Sequence, residues 1–433
     1  MDFQQTQRRK TFDYGWIIVG ISLITLALSY GIWYSFSVFF VALLKEFGWS
    51  RSTGSGAFSI LSIVAGIVGP FAGYMVDRMG PQKVLVMGSF FLAVGLALSS
   101  LTQTWWHLYI FFGVITGLGI GVTGWIPNTT IIQYWFKEGR GLAMGIVSSG
   151  VGVGILCIVP LLQYSINQVG WRMTYRLMAV LAPLIIASVA LLFFKNTPSH
   201  ARTSGENHSK LRDRDSQILD KDWTSRPWTI RKAMGTESFW LLVLSYSLSN
   251  IAVQAILMHQ VAFFVDKGLE ALSASYIVGM VGVTSIGGKI LWGALSDRIG
   301  REVTYTLGIF CAVAGILFLL GFHFRPVRPL SYGYIVFFGL GYAVTAALPP
   351  VITADFFEGR RYGGIFGTLM ILNGVGGAAG NWFAGFMYDL QKDYLLTFVV
   401  MIGCVLVTVY TVWRAAPRKI RRVPGQQPSR STG

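Results

Sequence analysis

The sequence predicts an all-α membrane protein of twelve transmembrane helices, arranged as two pseudo-symmetric six-helix bundles. Three observations predict it. Of 433 residues, 53% are hydrophobic and only 12% charged, with a mean hydropathy of +0.56; a soluble domain carries about 25% charged residues. Twelve apolar segments reach the roughly 20 residues that cross a hydrocarbon core about 30 Å thick. The second half of the chain also repeats turn motifs of the first.

The segments run approximately over 16–41, 54–76, 84–104, 107–134, 141–165, 174–194, 238–264, 272–295, 303–322, 331–354, 362–387 and 394–413. The first follows charged residues and lacks a small-residue cleavage site, so it reads as an uncleaved helix and not a signal peptide. Short polar turns join the others, with one long interruption from Lys195 to Glu237. That stretch is rich in Ser, Asp, Lys and Arg and reads as a cytoplasmic linker, with a short surface helix around Trp223 to Met234. It divides the chain into an N-terminal six-helix bundle (1–194), the linker (195–237) and a C-terminal six-helix bundle with a basic tail (238–433).

The formal charge of +16 and a pI near 9.8 suggest nucleic acid until the positions are read. Of the 35 Lys and Arg, 26 fall on the side that carries both termini, eight on the other, and Lys289 within a span. This is the positive-inside bias, and it sets both termini in the cytoplasm. The tail segment RKIRR (Arg418 to Arg422) then serves anionic lipid and not a polynucleotide. Cys157, Cys311 and Cys404 sit in three different spans, with neither disulfide nor metal spacing, and read as small core residues.

Lys289 is the feature that points to chemistry. No other charge lies between Glu270 and Asp297, and an ammonium at mid-bilayer depth costs roughly 2.5–3.5 kcal/mol on insertion scales. Asp297 is eight positions on, about 12 Å at helical rise, too far for easy snorkelling to the interface. Such a cation suits an anionic substrate. Asn250, Gln254 and His259 lie in the seventh span, Asn250 and Gln254 sharing a face and His259 able to relay a proton. Tyr30, Trp33 and Tyr34 share a face of the first span, where tyrosine hydroxyls can orient a carboxylate. Trp125 and Asn128 flank Pro127 in the fourth, and Tyr342 lies in the tenth. Gly119, Gly121 and Gly124 spell the dinucleotide fingerprint, but inside a spanning helix, without the strand that fingerprint needs. Gly113, Gly117 and Gly121, like Gly150 and Gly154 or Gly376 and Gly380, recur every fourth residue, which predicts close helix packing. The spans hold no nucleophile–base or metal cluster, which argues against an enzyme.

The duplication is explicit. GYMVDRMGPQKV (Gly73 to Val84) returns as GALSDRIGREV (Gly293 to Val303), pairing Gly73, Asp77, Arg78 and Gly80 with Gly293, Asp297, Arg298 and Gly300. WFKEGRGLAMG, ending at Gly145, is echoed by FFEGRRYGGIFG, ending at Gly367. The GxxxDRxG turn resembles the signature loop of the major facilitator superfamily. DYGW (Asp13 to Trp16) and YWFKEGRGLAMGIVSSGVGVG (Tyr134 to Gly154) resemble the monocarboxylate porters and their bacterial oxalate/formate antiporter-like relatives.

The resemblance implies a secondary active transporter of a small monocarboxylate (lactate, pyruvate, acetate or formate), working by alternating access around a mid-membrane site. It implies no cofactor, a monomer, and a bacterial inner membrane. In these relatives the position of Lys289 usually carries an arginine that binds the substrate carboxylate; lysine is a point charge in place of a bidentate fork. Animal porters add an aspartate one turn earlier, where this chain has Ser285. Oxalate exchangers carry a second cation near Asn373, and one cation in place of two suits a monocarboxylate. Asp77, Arg78, Asp297 and Arg298 would latch one conformation by pairing with each other and with helix ends. A lysine buried without a counter-ion favours its charged form chiefly beside a carboxylate, so anion and proton would enter together in electroneutral symport. His259 is the alternative proton site. Anion exchange and export of an amphipathic compound are the alternative activities, and a membrane sensor the alternative class.

Overall fold

The computed structural model describes residues 2–125, 127–128, 131–132, 140–193, 219–224, 226–357 and 362–420, and no strand occurs among them. Tyr134 to Gly139 of the second motif, linker residues 195–218, Arg421 and Arg422, and the Asp77 side chain lie outside the description. Twelve long helices are described. They are α1 (Asp2–Phe47), α2 (Arg51–Met79), α3 (Pro81–Ser99), α4 (Trp105–Thr123), α5 (140–169), α6 (171–193), α7 (Glu237–Asp266), α8 (Ala271–Ile299), α9 (Arg301–Phe324), α10 (Arg328–Phe356), α11 (Tyr362–Gln391) and α12 (Leu395–Ala415). Each matches one predicted span, most of them extended by several residues at the ends.

Glycine punctuates them. Gly80 closes α2 and caps α3 at φ 80°, ψ 158°; Gly300 does the same for α8 and α9 at φ 100°, ψ 161°. Both lie where a Cβ is disfavoured, so the repeated DRxG turn has a common backbone as well as a common sequence. Gly170, at φ 79°, ψ 161°, separates α5 from α6.

The described chain forms two compact units. The first takes 1–203, 254–283 and 378–394; the second takes 204–253, 284–377 and 395–433. Within the first, α1 lies directly on α5: a Cβ on Gly150 would stand 2.5 Å from the Leu23 carbonyl, and one on Gly154 2.2 Å from that of Ala27. Gly113, Gly117 and Gly121 turn the same bare face of α4 to Ile60, Leu61, Val64 and Val68 of α2. Gly119 meets Leu92 of α3, so the apparent dinucleotide fingerprint is helix packing. The middle of α4, Tyr109–Thr116, is π-helical, and Tyr109 donates to the Thr53 carbonyl at 2.9 Å. Phe36 stacks on Phe58 and Phe112 at ring distances of 5.5 and 4.5 Å, giving this unit an aromatic centre. Gly279 and Gly282 seat the first half of α8 on α5.

In the second unit, α9 and α10 pack through Gly308 on Val344, Gly315 on Phe338 and Gly341 on Ala312. Two expectations are corrected here. The linker's short surface helix is two short helices, Lys221–Thr224 and Ile230–Met234, docked against the unit. Trp228 and Ala233 are buried, the Trp223 indole donates to the Phe356 carbonyl at 2.8 Å, and Trp228 stands edge-on to Phe357. Two indoles in a polar stretch have enough apolar area to draw the backbone onto a helix end. The cysteines are not core residues: Cys157 is exposed on α5, and Cys311 and Cys404 are half-buried. A free thiol behaves as a small hydrophobe, so it sits on a lipid-facing helix surface at little cost.

Candidate functional site

Lys289 lies ten residues before the end of α8, half-buried. Its neighbourhood follows from small residues beside it. Gly288 lets α8 approach α10 so closely that an added Cβ would sit 2.7 Å from the Ala343 methyl. One turn on, the Trp292 indole donates to the Leu340 carbonyl at 2.8 Å and fixes the register. Tyr342 is thereby brought under the ammonium, with Nζ 5.3 Å from the ring centroid and the tyrosine itself buried. No carboxylate among the described residues lies within ion-pair distance of Lys289. An aromatic face attracts the cation without neutralising it, so the charge remains available to an anion.

In the same unit Asn250 donates to the Asn373 carbonyl at 2.8 Å, and Ser247 to the Leu372 carbonyl at 3.3 Å. Gly376 permits this approach of α7 and α11, with the Ser247 carbonyl 2.8 Å from where its Cβ would be. The two asparagines are thus brought together, Asn250 through its side chain and Asn373 through its backbone.

The first unit holds the other candidates. Tyr30 stands 6.0 Å from Trp33 and 6.4 Å from Tyr34, ring to ring, so the predicted aromatic face exists. Trp33 also meets Phe58 edge-on, and its indole nitrogen is buried with no hydrogen-bond partner among the described residues. Asn128 is fully buried and gives its amide to the carbonyls of Thr123 and Gly124, both at 2.8 Å. It secures the broken end of α4, beside Trp125. Gln254 is buried in α7.

The signature turn shows a pairing the sequence did not suggest. Asp297 bonds Arg301 at 2.6 Å, and Arg301 reaches on to Asp355 at 3.0 Å; Arg298 is exposed. Arg301 therefore links the ends of α8 and α10, in place of an Asp297–Arg298 pair. Arg78 lies over the Tyr74 ring at 4.7 Å.

Sequence reasoning missed a network at the opposite end of the first unit. Asp389 of α11 accepts from the backbone N–H groups of Arg51 and Ser52, each at 2.8 Å, and so caps α2 from another helix. The Arg51 guanidinium pairs with Asp266 of α7 at 2.7 Å, lies 3.6 Å over the Tyr388 ring and donates to the Tyr394 hydroxyl. Tyr394 in turn meets His259 Nδ1 at 2.9 Å, and His259 Nε2 meets the Asn381 carbonyl at 3.0 Å. The partners lie up to 343 residues apart; only the lone charges at span ends could have hinted at them.

The family model of the Major Facilitator Superfamily matches residues 22–380 and again 289–432. Among curated proteins, rat (Rattus norvegicus) monocarboxylate transporter 13 is 26% identical over 393 residues, covering 89% of this chain and 85% of the relative. The MFS-type transporter YcxA of Bacillus subtilis (strain 168) is 23% identical, covering 85% and 87%. Among solved structures, an inward-facing, unoccupied bacterial homolog of the human lysosomal transporter Spinster superposes with a TM-score of 0.72 at 14% identity, covering 94% of this chain and 98% of that one. A point mutant of the nucleoside transporter NupG gives 0.70 at 12% identity, covering 92% and 100%. With the twelve helices, the duplicated glycine turns and these matches, the chain belongs to the Major Facilitator Superfamily and is a membrane transporter, not an enzyme.

Proposed function

We propose that the protein carries a small monocarboxylate across a bacterial inner membrane together with a proton, with Lys289 as the anion site. The observation that carries this reading is Lys289 itself: a half-buried ammonium in the body of α8, faced by an aromatic ring and by no described carboxylate. The names of its relatives, monocarboxylate transporters 13 and 3 of rat, support the substrate class. In this reading the chain is a monomer with both termini cytoplasmic. The bundles are 1–194 and 238–433, and Tyr342, Asn373, Asn250, Gln254 and the Tyr30–Tyr34 face serve substrate recognition. Lys289 takes up its proton as the carboxylate binds, which keeps the loaded carrier neutral.

Uptake of labelled lactate, pyruvate, acetate and formate into proteoliposomes, with and without an inward proton gradient, tests it. The gradient should drive uphill accumulation, Lys289→Gln should abolish it in a correctly inserted protein, and Lys289→Arg should retain part of it. Accumulation indifferent to the gradient but stimulated by an internal carboxylate would make the protein an exchanger. Full activity of Lys289→Gln would remove the lysine from the site.

A further inference from the structure

The hydrogen bonds around His259 fix where its proton sits. The Asn381 carbonyl can only accept, so Nε2 carries the hydrogen. Arg51 donates to the Tyr394 oxygen, and the Tyr394 hydroxyl hydrogen is left to point at Nδ1. With His259 neutral the donors run in one direction, Arg51 to Tyr394 to His259 to Asn381.

This chain ties together the helix ends at one pole of the unit. Arg51 starts α2, Asp266 ends α7, Asp389 is near the end of α11 and Tyr394 immediately precedes α12. Ser59, two turns into α2, adds a bond to the Ala378 carbonyl of α11 at 2.8 Å. A Cβ on Gly385 would lie 2.7 Å from the Arg51 carbonyl, so α2 and α11 touch along their length here. His259 is 2% exposed, with Phe40 of α1 edge-on to its ring. The charged groups that act on it are Arg51 and Asp389, and the ionisable groups around these are Asp266, Tyr388 and Tyr394.

We propose that His259 is a proton-binding site that opens this pole of the carrier, the pole that the charge bias assigns to the outside. A second proton on the ring would point a donor at a Tyr394 oxygen already accepting from Arg51. It would also set a positive charge beside the guanidinium, while Asp266 is engaged by Arg51 and Asp389 by the first turn of α2. The latched arrangement excludes the protonated ring; the parted arrangement, with water at the ring, accepts it. A ligand that binds one state better shifts the population toward that state, so acid outside parts α2 from α7 and α11. The inference rests on the carrier reading for its purpose, since external acid would then expose the anion path, but it requires nothing of Lys289.

The test is a distance measurement without substrate. Spin labels at Lys45→Cys and Gln391→Cys, both exposed positions in the first unit, are placed in full-length protein with Cys157, Cys311 and Cys404 replaced by serine, reconstituted in liposomes. Lowering the external pH from 7.5 to 5.5 should raise the longer-distance population at least threefold. His259→Gln, which can still donate to Asn381 but does not titrate, should hold the short distance at both pH values. Tyr394→Phe, which removes both of its links, should show the longer distance at both. A wild-type distribution indifferent to pH overturns the proposal, as does an unchanged pH response in His259→Gln or a fully latched Tyr394→Phe at pH 7.5. A response to acid inside the liposome alone would reverse the assigned side. Lys289→Gln should keep the acid response, so loss of transport there and failure of the latch are separate results.

Discussion

At the residue scale, Tyr342 separates two ways a ring can help a half-buried cation. Its hydroxyl could bond a substrate, or its face could hold the ammonium; the 5.3 Å centroid distance favours the face. Tyr342→Phe keeps the face and should leave the KM for a monocarboxylate within about twofold. Tyr342→Leu removes it, and a cation–π contribution of about 0.5–2 kcal/mol corresponds to a KM raised roughly 2- to 30-fold in the same uptake assay. Lys289 was legible because an isolated charge in an apolar run needs no partner to be noticed. The Arg51 network was not: Asp266, Asp389 and Tyr394 sit at span ends where polar residues are ordinary, and their pairing over hundreds of residues leaves no periodic trace.

Helices meet here through missing side chains, and this scale was the most readable. Four-residue glycine spacing in α4 and α5 announced bare faces, and each such face has a neighbouring helix on it. Gly154→Ala would force a methyl to 2.2 Å from the Ala27 carbonyl, and overpacking of this kind costs about 1–3 kcal/mol. A fall of several degrees in the thermal midpoint of the detergent-solubilised protein is expected. Gly145→Ala, with nothing within 4 Å of the new methyl, is the control and should match or exceed wild type, since alanine is the better helix former. The π-helical middle of α4 and the docked linker escaped the sequence, because neither alters hydropathy. A π turn uses the same apolar residues as an α turn, and two tryptophans in a charged stretch do not say what they will lie against.

Across the whole molecule, the duplicated turn is symmetric in backbone and asymmetric in chemistry. Gly80 and Gly300 adopt the same conformation, yet the residue after each is Pro81 in one half and Arg301 in the other. Only the second copy can therefore make the Asp297–Arg301–Asp355 chain. If it governs conformational exchange, Asp297→Asn should slow transport while leaving equilibrium binding unchanged. Asp297 is 61% exposed, so about 0.2–1 kcal/mol is at stake and the maximal rate should fall by no more than about fivefold. Asp355, at 16%, is the better shielded partner, and Asp355→Asn should slow turnover more. Maximal uptake rates beside calorimetric dissociation constants check both; a weakened affinity with normal turnover would contradict the assignment.

The tail and the linker meet at one atom. The Ile420 carbonyl accepts from the N–H groups of both Leu219 and Asp220 at 2.9 and 3.3 Å, while Arg418 is held by Glu302 at 2.9 Å. Three residues beyond Asp220, toward α7, the Trp223–Phe356 bond continues the same line to the end of α10. The two extensions are thus a single mechanical strap, fastened at three points. A reporter domain or purification tag joined upstream of Ile420 would unfasten a helix that ends more than sixty residues earlier in the chain, whereas one joined after it leaves the strap whole.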